Sequence, residues 1–328
     1  MNRRNFVFAS TILMILIAGV VTGLALYSTY IVRAALPGLP DAVAYLPAGS
    51  HAVFGMNVPK FVASPIYAKF EEKHGQKIAG DLADFISKTG VDPRRDLSYV
   101  VAAGRAVEHK GKGVMIAVGQ FNTAAITSFI QTRVVPITVD YKGITVLMIP
   151  DKNGTEVEKG VAYLNESEIA LGNLEALKEV IDVRFGGAPG VLSNPTLGPM
   201  VKALNPEEMF WFAGDAATIL AQMPATTPLG ASIASVQTVM GTINLTDVVN
   251  GRITATARDE DSARKLADVV RGFVALGQLA GEQRPDVAEL VKGISIAQDR
   301  NAVRLVVNFP VDLLEKLHRG KVEAKRVL

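Results

Sequence analysis

Short apolar blocks recur along the chain from His51 onward, set apart by Gly, Pro and Asn clusters and by stretches with helical spacing. His51–Asn57 reads as a strand, and Pro59 opens a helical stretch that runs, with a break near Gly75, to about Lys88. Asp92–Asp96 is a turn. Leu97–Gly104 and Gly113–Gly119 read as strands around a polar hairpin, and Asn122 is placed to cap a helix over Thr123–Thr132. Ile137–Tyr141 and Ile144–Ile149 form a hairpin about Lys142-Gly143, and Gly160–Asn165 and Glu168–Gly172 form another. Asn173 caps a helix over Leu174–Val183.

After a Gly/Pro-rich passage the order resumes. Met209–Ala213 is a strand, and Asp215 precedes a short helix to Gln222. Ser235–Leu245 and Arg252–Ala257 pair as strands. Asp259 caps a long helix over Asp261–Leu279, and Pro285–Val291 is a short one. Ile294–Gln298 and Ala302–Asn308 make a hairpin, and Pro310 opens a last helix to about His318. The body therefore reads as α+β, with two duplicated antiparallel sheet-plus-helix units in the ferredoxin-like manner, 48–183 and 207–318, joined by a connector over 184–206. One continuous sheet spanning both halves is equally allowed.

The first residues follow a different pattern. Phe6–Val32 carries 27 residues without a charge. As a helix it spans about 40 Å, against roughly 30 Å of bilayer hydrocarbon. Arg3 and Arg4 mark its cytoplasmic side, and Tyr27 and Tyr30 suit the far interface. Residues 1–33 are therefore expected to be an uncleaved signal-anchor transmembrane helix at the bacterial inner (cytoplasmic) membrane, N-terminus inside and body extracytoplasmic. A cleaved signal peptide is the competing reading, but the apolar run continues past the small residues at Gly23–Ala25. Gly19 and Gly23 make a GxxxG spacing that lets two helices approach, a candidate for homodimer formation. Residues 34–47 read as a juxtamembrane linker, and 319–328 as a basic tail.

Composition narrows the function classes. The chain has 34 Lys+Arg against 32 Asp+Glu, so a nucleic-acid partner, which demands a basic face, is not expected. It has no Cys, which removes disulfides, thiolate metal sites and thiol catalysis. The 4 His (His51, His74, His109, His318) show no metal-ligand spacing. Ser50 and His51 are adjacent, but neighbouring strand residues point to opposite faces and cannot act as nucleophile and base. The glycines of 104–119 lead into a strand, not into the helix that a phosphate loop needs. The charges of Asp92, Arg94, Arg95 and Asp96 are expected to pair and fix a turn. Asp259, Glu260 and Asp261 sit where acids complement a helix start. No catalytic, cofactor or metal residue is assigned.

The opening of the body carries one resemblance. Leu46-Pro47-Ala48-Gly49-Ser50, then the apolar His51–Met56, then Phe61-Val62-Ala63-Ser64-Pro65 resemble the start of bacterial single-anchor envelope proteins of uncharacterised function. The likeness covers about the first third of the body and implies no activity.

One stretch invites a contact. Ala216–Thr246 holds 31 residues without a charged side chain, although Pro224, Pro228 and Gly230 interrupt regular structure. Uncharged loop is cheap to dehydrate. Met223, Thr227, Leu229, Ser232 and Ile233 are therefore the candidate contact segment for a protein partner, an apolar ligand or the bilayer face. The function expected is that of a non-catalytic, membrane-anchored envelope protein acting as a binding or assembly module. An exported hydrolase with dispersed residues and a lipid or small-ligand carrier are the alternatives.

Overall fold

A computed structural model describes residues 40–105, 112–150, 159–220, 233–281 and 284–313, without the side chains of Phe70, 73–79, Lys112 and Leu220. The segment 6–32, with Gly19 and Gly23, and the tail 319–328 lie outside these residues. Among the described residues no helix is long and apolar enough to cross a membrane.

The elements follow in chain order. β1 (Ala52–Asn57) leads to α1 (Val58–Val62), α2 (Pro65–Thr89) and α3 (Pro93–Asp96), then β2 (Leu97–Arg105) and β3 (Lys112–Gly119). Next come α4 (Thr123–Arg133), β4 (Ile137–Tyr141), β5 (Ile144–Ile149), β6 (Lys159–Asn165), β7 (Glu168–Gly172), α5 (Leu174–Arg184) and α6 (Leu197–Ala203). The rest is β8 (Phe210–Asp215), α7 (Ala216–Leu220), β9 (Val236–Leu245), β10 (Val248–Ala257), α8 (Glu260–Ala280), α9 (Pro285–Lys292), β11 (Ile294–Asp299) and β12 (Ala302–Pro310).

Local chemistry explains the boundaries. Asn122, Asn173 and Asp259 accept the amides of Ala125, Ala176 and Ser262, at 3.0, 2.9 and 2.7 Å. Each satisfies an otherwise orphaned donor of a first helical turn. The helical break expected near Gly75 lies instead at Ala63–Ser64. There Ser64 accepts the Tyr67 amide and Pro65 begins a new helix, while α2 continues through Gly75.

All twelve strands form one antiparallel sheet, in the order β11-β12-β10-β9-β8-β1-β2-β3-β7-β6-β5-β4. This replaces the expected pair of ferredoxin-like units. A ferredoxin-like order would set the first strand parallel to the second strand of the hairpin that follows it, whereas here β1 and β8 lie antiparallel against β2 and β9, the first strand of each hairpin. Outward from the β1–β8 seam, the order β1-β2-β3-β7-β6 runs parallel to β8-β9-β10-β12-β11. The β4–β5 hairpin lies beyond this shared order. At the seam Phe54 pairs with Phe212, flanked by Val53 with Ala213 and Gly55 with Trp211. The connector 184–206 stays outside the sheet's strands. It places Leu197 and Val201 in the core and bridges Pro47 to Gly190.

The two faces of the sheet are covered unequally. On one, here the far face, α1 and the start of α2 cover the centre, with Phe61, Val62 and Ile66 against Met56, Phe210 and Ile243. Ala263, Leu266 and Ala267 of α8 pack on Val236, Ala257 and Val303. Ile126 and Ile130 of α4, with Phe85 of α2, pack on Val161, Tyr163 and Ile169. On the opposite, near face, α5 and α6 pack over the first half and the seam with Leu177, Val180, Ile181, Leu197 and Val201.

Candidate interaction surface

The near face can be followed along a single row, one residue per strand. The paired registers align Val139, Val146, Ala162, Ala170, Ile116, Val101, Gly55, Trp211, Thr242, Arg252, Val306 and Ser295 from edge to edge. From Val146 to Trp211 the row is buried beneath α5 and α6. From Thr242 it comes into solvent: Thr242 is half-buried, and Arg252, Val306 and Ser295 are exposed. Neighbouring rows make the same passage. In the next row Val114, Ala103, Val53 and Ala213 are buried, and Met240, Thr254 and Arg304 continue it into solvent. Asn244, Asn250 and Asn308 stand side by side on the next rung.

Among the described residues the outcome is an open half-face on β9, β10, β12 and β11. Its polar groups ride on short side chains, mostly Thr and Asn, which lose little freedom when they make a contact. Strands about 4.8 Å apart set their spacing. The charges here have partners of their own: Arg304 pairs with Asp299 at 3.0 Å, and Arg252 lies 3.9 Å from Glu208. Glu208 also accepts the amide of Asn244, whose Oδ1 takes the Met209 amide at 2.8 Å. The surface can therefore exchange neutral hydrogen bonds with a partner at little cost in desolvated charge.

Met223, Thr227, Leu229 and Ser232 lie outside the described residues, and Ile233 is half-buried just before β9. The uncharged stretch nevertheless contributes Thr238, Thr242 and Asn244 to the open half-face. The alternation of Thr and Asn along β9 and β10 (Thr238, Thr242, Asn244, Asn250, Thr254, Thr256) was the signal for that face.

The other candidate groups take structural roles. Ser50 donates its hydroxyl to the Pro47 carbonyl at 2.7 Å, and the backbone of His51 bonds to Gly104 and Asp215 on either side. Arg94 forks onto Asp92 at 3.1 Å and reaches Glu71 at 3.4 Å, and Arg95 holds Asp96 at 2.9 Å. Burial works against ionisation of Asp92, yet the bonds from Arg94 prevail and hold its carboxyl below the usual range. The amide of Ser262 likewise lowers Asp259, and Lys265 lowers Asp261, as expected of a helix start. No group of His, Asp or Glu suited to a metal occurs among the described residues. A cleft of about 20 Å³ between Pro47, Ser50, Arg105 and Glu179 has room for roughly one water. Arg105 spans it, 2.6 Å from Glu179 and 3.0 Å from the Gly49 carbonyl.

The chain matches no family model and none of the curated proteins. It does share its fold with TP0453. One crystal form of that protein superposes with a TM-score of 0.51 at 11% identity, covering 84% of this chain and 96% of that one. A second crystal form gives a TM-score of 0.50 at 9% identity over the same shares. At these identities the likeness concerns the course of the chain alone.

Proposed function

We propose that this chain is a non-catalytic envelope protein, anchored by Phe6–Val32, whose extracytoplasmic body is a binding or assembly module built from two related halves. The open half-face on β9–β12 carries this reading. In the first half the matching positions are apolar and roofed by a helix. In the second they hold mostly Thr, Asn and Arg, half-buried or exposed, with no helix over them among the described residues. A surface of this kind suits a partner that supplies a complementary plane of hydrogen-bonding groups, rather than one that enters a cavity.

The test is photo-crosslinking of the full-length protein in intact cells. A benzophenone amino acid replaces Thr254 on the open half-face, or Arg264 on the outward side of α8. A discrete adduct at position 254 that is missing at 264 supports the reading. Equal adducts at both positions, or none at either, overturn it.

A further inference from the structure

The β4–β5 hairpin stands outside the order that the two halves of the sheet share, and it creates the sheet's outermost strand on that side. Its turn decides which way β4 presents its backbone. Lys142 and Gly143 both take positive φ, 50° and 79°, the geometry of a two-residue hairpin turn. Such a turn makes Tyr141 and Ile144 a mutually hydrogen-bonded pair. Ile137, Val139 and Tyr141 therefore spend their amides on β5. Thr138 and Asp140 turn their amides and carbonyls outward, along an edge that no strand of this sheet pairs.

Beside the exposed Thr138 and Asp140, two large apolar side chains lie in solvent along that edge. Val135 is 84% exposed and Ile137 is 51% exposed. Natural sheets protect such edges with Lys, Pro or cover. On the opposite edge the exposed side chains of β11 are the small or polar Ser295, Ala297 and Asp299, with Asp299 held by Arg304.

We propose that β4 is a docking edge for a second copy of this chain, the two β4 strands pairing antiparallel about Thr138 to continue the sheet across a twofold axis. The strand is self-complementary in this register. Thr138 meets Thr138 of the second copy in a hydrogen-bonded pair. Ile137 lies beside Val139, and Val135 beside Tyr141, so both exposed apolar side chains are covered. Asp140, the single acid of the strand, falls opposite Pro136 and not opposite another acid. A pairing about a twofold axis closes on itself and leaves no open series. This interface lies on a different part of the sheet from the open half-face, and the two can fail separately.

The chain has no Cys, so one introduced Cys reports on contact between copies alone. Full-length protein in membranes carrying Thr138→Cys is oxidised, with Gln298→Cys on the β11 edge as the comparison. A hydrogen-bonded antiparallel pair sets its Cα atoms about 5.5 Å apart, within reach of a disulfide. A disulfide-linked dimer from the 138 variant, but not from the 298 variant, is expected. As a second measurement, made in the Gly19→Leu, Gly23→Leu background so that the anchors do not hold copies together, Thr138→Pro removes only an outward amide and should shift the purified full-length protein from dimer to monomer in sedimentation with its circular dichroism unchanged. No dimer at 138, or equal dimer at 138 and 298, overturns the proposal whatever happens at Thr254. So does a Thr138→Pro protein that is folded and still dimeric.

Discussion

Gly55 and Trp211 face each other across the β1–β8 seam, and a Cβ on Gly55 would lie 2.1 Å from Cε2 of the indole. The neighbouring pair, Val53 and Ala213, divides the same space more evenly. At the seam a very large residue is thus matched by one without a side chain. Gly55→Ala should destabilise the body by about 1–3 kcal/mol, the usual cost of overpacking. In a Trp211→Leu background the same change should cost less than about 1 kcal/mol, because the obstructing ring is gone. Urea unfolding followed by circular dichroism measures both. Equal costs in the two backgrounds would show that the indole is not what excludes a side chain at position 55.

The indole is also held from its other end. Trp211 donates Nε1–H to the Tyr99 hydroxyl at 2.5 Å, and Tyr99 donates onward to the Pro206 carbonyl at 3.1 Å. Burial raises the ionisation of Tyr99 well above the ordinary phenol, so the hydroxyl keeps its proton and its place in this relay. Tyr99→Phe should cost about 1–3 kcal/mol by stranding the buried indole N–H and a carbonyl. Trp211 is the protein's only tryptophan, so its fluorescence follows the unfolding directly.

Those two relationships mark what a linear reading could reach. The caps at Asn122, Asn173 and Asp259 were legible because each acts within three residues of itself. The hairpins were legible because their strands are neighbours in sequence. The seam was not: β1 and β8 are joined only after the whole first half has folded between them, and nothing near Gly55 says that a tryptophan more than 150 residues away fills its place. The same distance left one continuous sheet and two separate ferredoxin-like units equally allowed, and only the β1–β8 pairing decides between them. The open half-face was missed for a different reason. Alternating Thr and Asn fit any half-solvated strand, and only the absence of an overlying helix among the described residues marks them as a surface.

Glu168 is 6% exposed at the β6–β7 hairpin, where the Asn165 amide donates to it at 2.6 Å. Burial raises its carboxyl above the usual 4.5, against the smaller favourable pull of Asn165 and Arg184. The folded chain therefore holds this proton more tightly than the unfolded one. Ionisation of Glu168 costs stability above its raised value, and that cost fades as the pH falls toward 4.5 and is gone below it. Glu168→Gln keeps an acceptor for Asn165 and has no charge to bury. Its melting temperature should exceed the parent's at neutral pH, with the gap closing by about pH 4. A gap independent of pH would mean that shape, not charge, separates the two proteins.

The proposed anchor has a direct chemical consequence. If Phe6–Val32 remains attached and spans the bilayer, alkaline carbonate will leave the full-length protein in the membrane pellet, and its mass will include Arg3 and Arg4. Release into the supernatant, or a mature N-terminus at or after Leu26, would instead mean a cleaved leader. Gly19→Leu with Gly23→Leu should weaken association of the anchors alone and leave the melting of the body unchanged.

The seam also ends in two related caps. Asn57 closes β1 and accepts the Lys60 amide at 3.2 Å, and Asp215 closes β8 and accepts the Thr218 amide at 3.1 Å. Each caps a five-residue helix. Since β1 and β8 are antiparallel, the two caps sit at opposite ends of the seam. They share no partner, so their effects should add. Asn57→Ala and Asp215→Ala should each cost about 1 kcal/mol. The double variant should lose their sum to within about 0.5 kcal/mol, as expected of sites that do not touch. Asn57 is 4% exposed and Asp215 half-buried, so any inequality should fall on Asn57, whose truncation also leaves a void in the core. Denaturant unfolding of the three variants decides the matter. A double variant much less stable than the sum would mean that the two ends of the seam communicate through the strands, and that the halves do not cap their helices independently.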